Sequence, residues 1–318
     1  GVDEFRSNGS ANGSTTIVNN ISDLATTFGL RGAEGTFDVR FDQSAVSGSD
    51  DSVEVVAEDG ANATFIARED GPSDDVVENV TIRSQGSSTN TVKTANSGAE
   101  VGNAFGTIVA TGSADLDLGT VEDGTTTTVN AGGTEDVDAL EGGLGLTFGA
   151  TDASANAISA SGGEGGDSVD ITNLTSTSAA GTDISLSGNG GDDTFTTGDK
   201  LLTVDAAADV SVTGGAGDGD TLAITGDQAN LAPSSNATIS GVETLRANIN
   251  GSGSTNTIDA STLNFDTFNV NATAQDVKAE VTNLTGEAVT FANTDDGDSP
   301  AAGGANDFGT AAISVNDD

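Results

Sequence analysis

Cysteine, histidine, methionine, tryptophan and tyrosine are all missing from the 318 residues. Without cysteine there can be no disulfide and no thiolate zinc site. With neither histidine nor cysteine, the usual Ser–His and Cys–His nucleophile systems are excluded. The only aromatics are twelve Phe, so the platforms that polysaccharide-cleaving clefts use are lacking. Positive charge is scarce too. Nine Lys and Arg face 50 Asp and Glu, for a formal charge of −41. Such a chain repels nucleic acid and anionic membrane surfaces and attracts cations. No apolar run nears the roughly 18 residues of a membrane helix, so no membrane insertion is expected. Position 1 is Gly, not Met, and "GVDEF" starts within a pattern. The chain is therefore expected to be a piece of a longer array.

Gly, Ser, Thr, Asp, Asn and Ala make up most of the rest. Short stretches such as "TFDVRF", "SVEVV", "NVTI", "DISLS", "DVSVT" and "TLAIT" alternate apolar and polar residues between Gly, Asn and Asp. That alternation is the signature of half-buried strands. Helix signals are nearly absent.

A repeat organises these strands. Residues 162–187 read "GGEGGDSVDITNLTSTSAAGTDISLS" and residues 188–213 read "GNGGDDTFTTGDKLLTVDAAADVSVT". Both pieces begin in a glycine-rich acidic loop and end in a strand. A third begins "GGAGDGDTLAIT" at Gly214 and runs to Ser240, one residue longer, with the extra residue in its loop. Gly112 and Gly132 carry weaker copies of the same corner, and Gly241 opens "GVETLRANINGSGSTNTI", which echoes the starts at Gly1 and Val77. Turns starting near 112, 132, 162, 188, 214 and 241 predict an all-β fold, a right-handed parallel β-solenoid. Three soft segments are expected, 1–75, 76–240 and 241–318. The predicted interior is Val169, Ile171, Ile184, Leu186, Val204, Val210, Val212, Leu222 and Ile224. "GLGLTFGA" at 143–150 is not expected to be a nucleotide loop, because no Lys-Ser/Thr, helix or basic partner follows it.

The glycine loops resemble the G-G-x-G-x-D-x-U-x nonapeptide of RTX calcium-binding repeats. The first fits at Gly162, Gly163, Gly165, Asp167 and Val169. The second fits at Gly188, Gly191, Asp193 and Phe195, with Asn189 in place of the second glycine. The third fits at Gly214, Gly215, Gly217, Asp220 and Leu222 with one inserted residue. "ISGVETL" at 239–245 is similar to a phrase in the solenoids of RTX-type bacterial S-layer proteins and large secreted adhesins. Here the motif recurs once per turn rather than in tandem, so the resemblance implies at most one row of Ca2+ along one corner.

The chemistry of the residues agrees. Calcium takes six to eight oxygens, from carboxylates and backbone carbonyls. Glycines let successive carbonyls turn toward one point. In a solenoid, corners stack about 4.8 Å apart, so a cation between two corners would draw oxygens from both. Asp167, Asp193 and Asp220 are the best candidate ligands, and Glu164, Asp192 and Asp218 come next. The likeness implies a non-enzymatic, extracellular structural protein of the cell surface, exported by type I secretion. It would assemble with itself into a lattice or filament, in contact with cell-surface polysaccharide. An adhesin stalk and, less favoured, a polysaccharide-acting β-helix enzyme are the alternatives.

Overall fold

The computed structural model describes residues 3–70, 77–94, 105–121, 128–133, 138–149, 157–173, 183–198, 209–226, 230–231, 237–249, 255–272, 277–293 and 308–315. Among these the chain is all β, apart from single 3-10 turns at Gln43–Ala45 and Ala260–Thr262. Among the described residues no helix is long and apolar enough to cross a membrane.

Successive strands alternate between two sheets, and every pairing is parallel. A ten-stranded sheet runs from Glu4–Asn8 to Ala237–Ser240. A twelve-stranded sheet runs from Thr15–Ile21 to Ala288–Asn293. Each strand thus pairs with the equivalent strand one turn away, which defines a parallel β-solenoid. A four-stranded sheet, starting at Asn230–Leu231 and ending at Phe308–Val315, takes up the C-terminal turns. The twelve-stranded sheet continues across residues 75 and 240.

The repeat lengths read from the sequence reappear as register. Ile158 pairs with Ile184 and Ile184 with Val210, the same step each time. Val210 pairs with Ala237, a step longer by the one residue inserted in the third loop. Ser161, Ser187, Thr213 and Ser240 are therefore stacked, and Gly162, Gly188, Gly214 and Gly241 follow them in one column. Gly112 and Gly132 lie at the same edge but out of that column. Asn130 pairs with Ser161, which puts Ala131 rather than Gly132 in line with Gly162.

Alternation decides what is buried. Val169, Ile171, Ile184, Leu186, Val210, Val212, Leu222 and Ile224 all point into the core. Val204 lies outside the described residues. "GLGLTFGA" contributes the strand Leu144–Phe148, which buries Leu144, Leu146 and Phe148. The first turns are filled by aromatic rings. Phe28 lies 6.0–6.3 Å, centroid to centroid, from Phe5, Phe37, Phe41 and Phe65. Later turns pack mostly aliphatic side chains with Phe148 and Phe195 among them. The core is thus one continuous filling between two sheets, and its corners are where the chain must turn.

Candidate functional site

One corner collects the acids. Ser168 pairs with Thr194, Thr194 with Thr221, and Thr221 with Thr244. The residues just before them, Asp167, Asp193, Asp220 and Glu243, are therefore stacked at the entry to successive strands of the twelve-stranded sheet. In the earlier turns Leu144, Leu116 and Asn90 hold the same place.

The acids are tied by a directional series of hydrogen bonds. The Leu144 N–H donates to Asp167 Oδ1 at 2.6 Å. The Asp167 N–H donates to Asp193 Oδ1 at 2.7 Å, and the Asp193 N–H to Asp220 Oδ1 at 2.8 Å. The Asp220 N–H donates to Glu243 Oε2 at 3.0 Å. Each acid thus holds the backbone of the turn before it. Asp167 uses its second oxygen as well, accepting the Gly163 N–H at 2.8 Å. Asp193 Oδ2 and Asp220 Oδ2 are buried and accept no hydrogen bond.

The first glycine of each loop explains where those second oxygens sit. A Cβ on Gly162 would collide with Asp167 Oδ2 and lie 2.6 Å from the Gly188 carbonyl oxygen. A Cβ on Gly188 would collide with Asp193 Oδ2 and with the Gly214 carbonyl. On Gly214 it would collide with Asp220 Oδ2 and the Gly241 carbonyl. Three times over, a carboxylate oxygen and the carbonyl of the following turn converge on the space an absent side chain leaves. For Asp193 and Asp220 two acceptors face that space with no donor between them. A buried acceptor without a partner costs about 1–3 kcal/mol, more when charged.

Electrostatics amplify the mismatch. Burial pushes the Asp167 carboxyl up to about 7, and the Asp193 charge adds to the shift. Burial pushes Asp193 up to about 6, helped by Asp220 and Asp192. Asp220 is raised by burial, then by Glu243, Asp192 and Asp218. Asp38 offers a contrast within the same chain. It too is buried, but Arg40 and Arg68 each reach it at 2.8 Å. Although burial opposes ionisation there, the two guanidiniums hold Asp38 below its usual value. Among the described residues no Lys or Arg forms an ion pair with Asp167, Asp193, Asp220 or Glu243.

This corner therefore fits a hard cation at Asp193 and Asp220, which offer free oxygens beside glycine carbonyls. At Asp167 both oxygens are already engaged with backbone N–H groups. No three acidic side chains among the described residues stand together as a ready cage, so backbone oxygens must supply part of any shell. Glu164, Asp192 and Asp218 are exposed, at the mouth of the corner. The Asp192 carboxylate lies against the place a Cβ of Gly219 would take. Gly165 and Gly217 pass so close to Gly142–Gly143 and Gly191 that a Cβ would strike backbone. Gly163 is buried, and its Cβ would strike the Leu140 carbonyl. Gly191 and Gly215 have φ of 87° and 125°, a region that favours glycine.

Asn189 departs from the motif for a visible reason. It adopts φ 71°, which Asn tolerates better than most residues. Its Nδ2 donates to Ser161 Oγ and the Gly162 carbonyl, both at 2.9 Å. The amide therefore latches its loop onto the previous turn.

Two residues of the column escaped the sequence reading. Asn90 is fully buried and satisfied: its Oδ1 accepts from Gly60 and Ala61 N–H, and its Nδ2 donates to Ala57, Ser84 and Gln85. Glu243 is the other. A signal for it existed: "DSV", "DTF", "DTL", "ETL" and "DTF" begin at 167, 193, 220, 243 and 266. An acid, a hydroxyl residue and an apolar residue mark each strand entry.

Asn90→Ala is expected to cost about 1–3 kcal/mol, because the Gly60 and Ala61 N–H groups lose their acceptor. Thermal unfolding of that variant tests it, and a melt superimposed on the parent's would show that the amide bracket is dispensable.

Searches of family models, of curated proteins and of solved structures return no match for this chain.

Proposed function

We propose that the chain is a structural segment of an extracellular surface assembly, a β-solenoid stiffened by calcium along its acidic corner. The observation that carries this reading is the pair of buried, unpartnered oxygens, Asp193 Oδ2 and Asp220 Oδ2, each beside a glycine carbonyl of the following turn. A bound cation would supply positive charge to both and tie adjacent turns together. Asp193 and Asp220 would hold it with the Gly214 and Gly241 carbonyls, while Asp192 and Asp218 add charge from outside. The Asp38–Arg pairing supports the argument, since the chain supplies its own cations to that buried acid, whereas among the described residues none pairs with the acids of this corner.

Charge and shape support the wider role. A long solenoid carrying −41 is a poor catalyst scaffold without His, Cys, Trp or Tyr, and a good rigid spacer or tile. Self-assembly into an S-layer-type lattice or filament requires like-charged surfaces to meet. At physiological ionic strength screening extends only over roughly 8 Å, so surfaces in contact remain partly unscreened. Divalent ions bridging carboxylates would remove that repulsion.

The test is a calcium titration followed by circular dichroism and by assembly size. Calcium should sharpen and raise the melting transition, and chelator should reverse it and dissolve the assembly. Recovery of both in chelator plus monovalent salt of matched ionic strength would mean that plain screening is enough, and the calcium reading would fall.

A further inference from the structure

The geometry points to Glu243 as the residue that closes the upper cation position, between the loop at 214 and the turn at 241, and this rests on the calcium reading of the corner. The turn at 241 reads "GVETL" and lacks the glycine motif altogether. By motif alone the acidic corner stops at Asp220. The structure carries it one turn further.

Asp220 is fully buried, and its Oδ2 has no partner. That oxygen and the Gly241 carbonyl converge on the α-carbon face of Gly214, where a Cβ would strike both. A carboxylate oxygen and a carbonyl oxygen from consecutive turns thus face the same small space. Glu243 stands beside it, because its Oε2 accepts the Asp220 N–H at 3.0 Å. That bond leaves the other Glu243 oxygen available to a ligand, and the side chain is half-buried rather than sealed. Asp218 and Asp192 are close enough to act on Asp220 electrostatically. The chemistry is that of a hard divalent cation, with oxygen donors only: the Asp220 and Glu243 carboxylates and one backbone carbonyl.

Glu243 differs from the acids below it in a useful way. Asp167, Asp193 and Asp220 each serve as a bracket for the preceding turn and as a group in their own glycine loop. Glu243 has the bracket role but no glycine loop of its own. Its turn is also shorter, since the step from Thr221 to its partner Thr244 is smaller than those from Ser168 to Thr194 and from Thr194 to Thr221. The longer Glu side chain reaches the Asp220 N–H across that shorter turn. Among the described residues it is the last side chain in the column to hold the turn before it. The Glu243 N–H goes to the Asp220 backbone carbonyl at 3.1 Å rather than to an Asp266 carboxylate oxygen.

The experiment counts calcium bound to the full chain by isothermal titration, with the parent, Glu243→Gln and Asp218→Asn in parallel. Gln keeps an oxygen for the Asp220 N–H and removes the charge, so the fold is retained while the ligand is lost. Glu243→Gln is expected to bind one calcium fewer than the parent, with the remaining sites unchanged. Asp218 is exposed and takes no part in the bracket bonds. Its Asn variant is expected to weaken one site on the order of tenfold. If Glu243→Gln fails to fold, the Asp218→Asn isotherm decides. Binding unchanged in both variants overturns the site and leaves Glu243 a bracket only, with the calcium reading of the lower loops intact. A parent chain that binds no calcium overturns both.

Discussion

Gly188→Ala should unfold the corner although it adds a single methyl group. The new Cβ would occupy the position of Asp193 Oδ2 and press on the Gly214 carbonyl. Neither neighbour can yield cheaply, since one is a fully buried carboxylate and the other is ladder backbone. Overpacking a close-packed interior costs about 1–3 kcal/mol, and the present case belongs at or above the upper end. Gly188 has no left-handed φ, so the cost comes from collision and not from backbone preference. Gly198 provides the contrast. Its nearest neighbour would be the Thr172 carbonyl at 3.6 Å, an ordinary contact. Gly198→Ala is expected to be neutral or to add a few tenths of a kcal/mol by reducing unfolded-state freedom. Urea melts of the two variants separate the cases, and equal midpoints would show that the carboxylate does not fill the glycine's place.

The second large effect is the pH dependence of the calcium-free chain. Asp167 and Asp193 titrate near 7 and 6 when folded, against an ordinary value of 3.8. Their folded values are raised, so between these limits the folded chain holds more protons than the unfolded one. Stability therefore falls as pH rises. The contribution is complete below about pH 4 and is lost as pH climbs through 6 to 7. Asp167, with the larger rise, contributes the larger share of that loss. In chelator, the melting temperature should fall steeply from pH 5 to pH 8. In saturating calcium the slope should flatten or reverse, because the metal takes the place of the protons. Asp193→Asn should remove part of the chelator-state slope. A chelated chain that grows steadily more stable toward pH 8 would contradict the burial described at this corner.

Much of this was legible in the residues. Alternation located the strands, because one face of each is buried. The regular repeat, and the extra residue around Asp218, became register without adjustment, because a solenoid copies repeat length directly into pairing. The glycine loops came to lie together for the same reason. What the motif could not convey was why its first glycine is needed. Glycine in a turn suggests backbone freedom, yet Gly162, Gly188 and Gly214 are required chiefly for space, which depends on where a later side chain of the same loop turns. Asn90 was hidden because its partners lie in neighbouring turns, a full circuit of the chain away, with no local pattern to mark the pairing, whereas Glu243 was marked by the recurring acid–hydroxyl–apolar triplet and missed because its turn lacks the glycines. Gly132 misled by one position, since a glycine can sit beside a corner as readily as in it. The third sheet after Asn230 had no separate signal, because its strands alternate like all the others.

The bracket bonds have a polarity that bears on the order in which the molecule can be built. Asp193 secures Asp167, Asp220 secures Asp193 and Glu243 secures Asp220, always from the C-terminal side. A chain delivered from its N-terminus therefore presents each new corner with an N–H still waiting for a carboxylate roughly one turn behind it. The growing end stays loose while everything upstream is latched, as a zip holds only where the slider has passed. Glu243 is the stop at the end of that track.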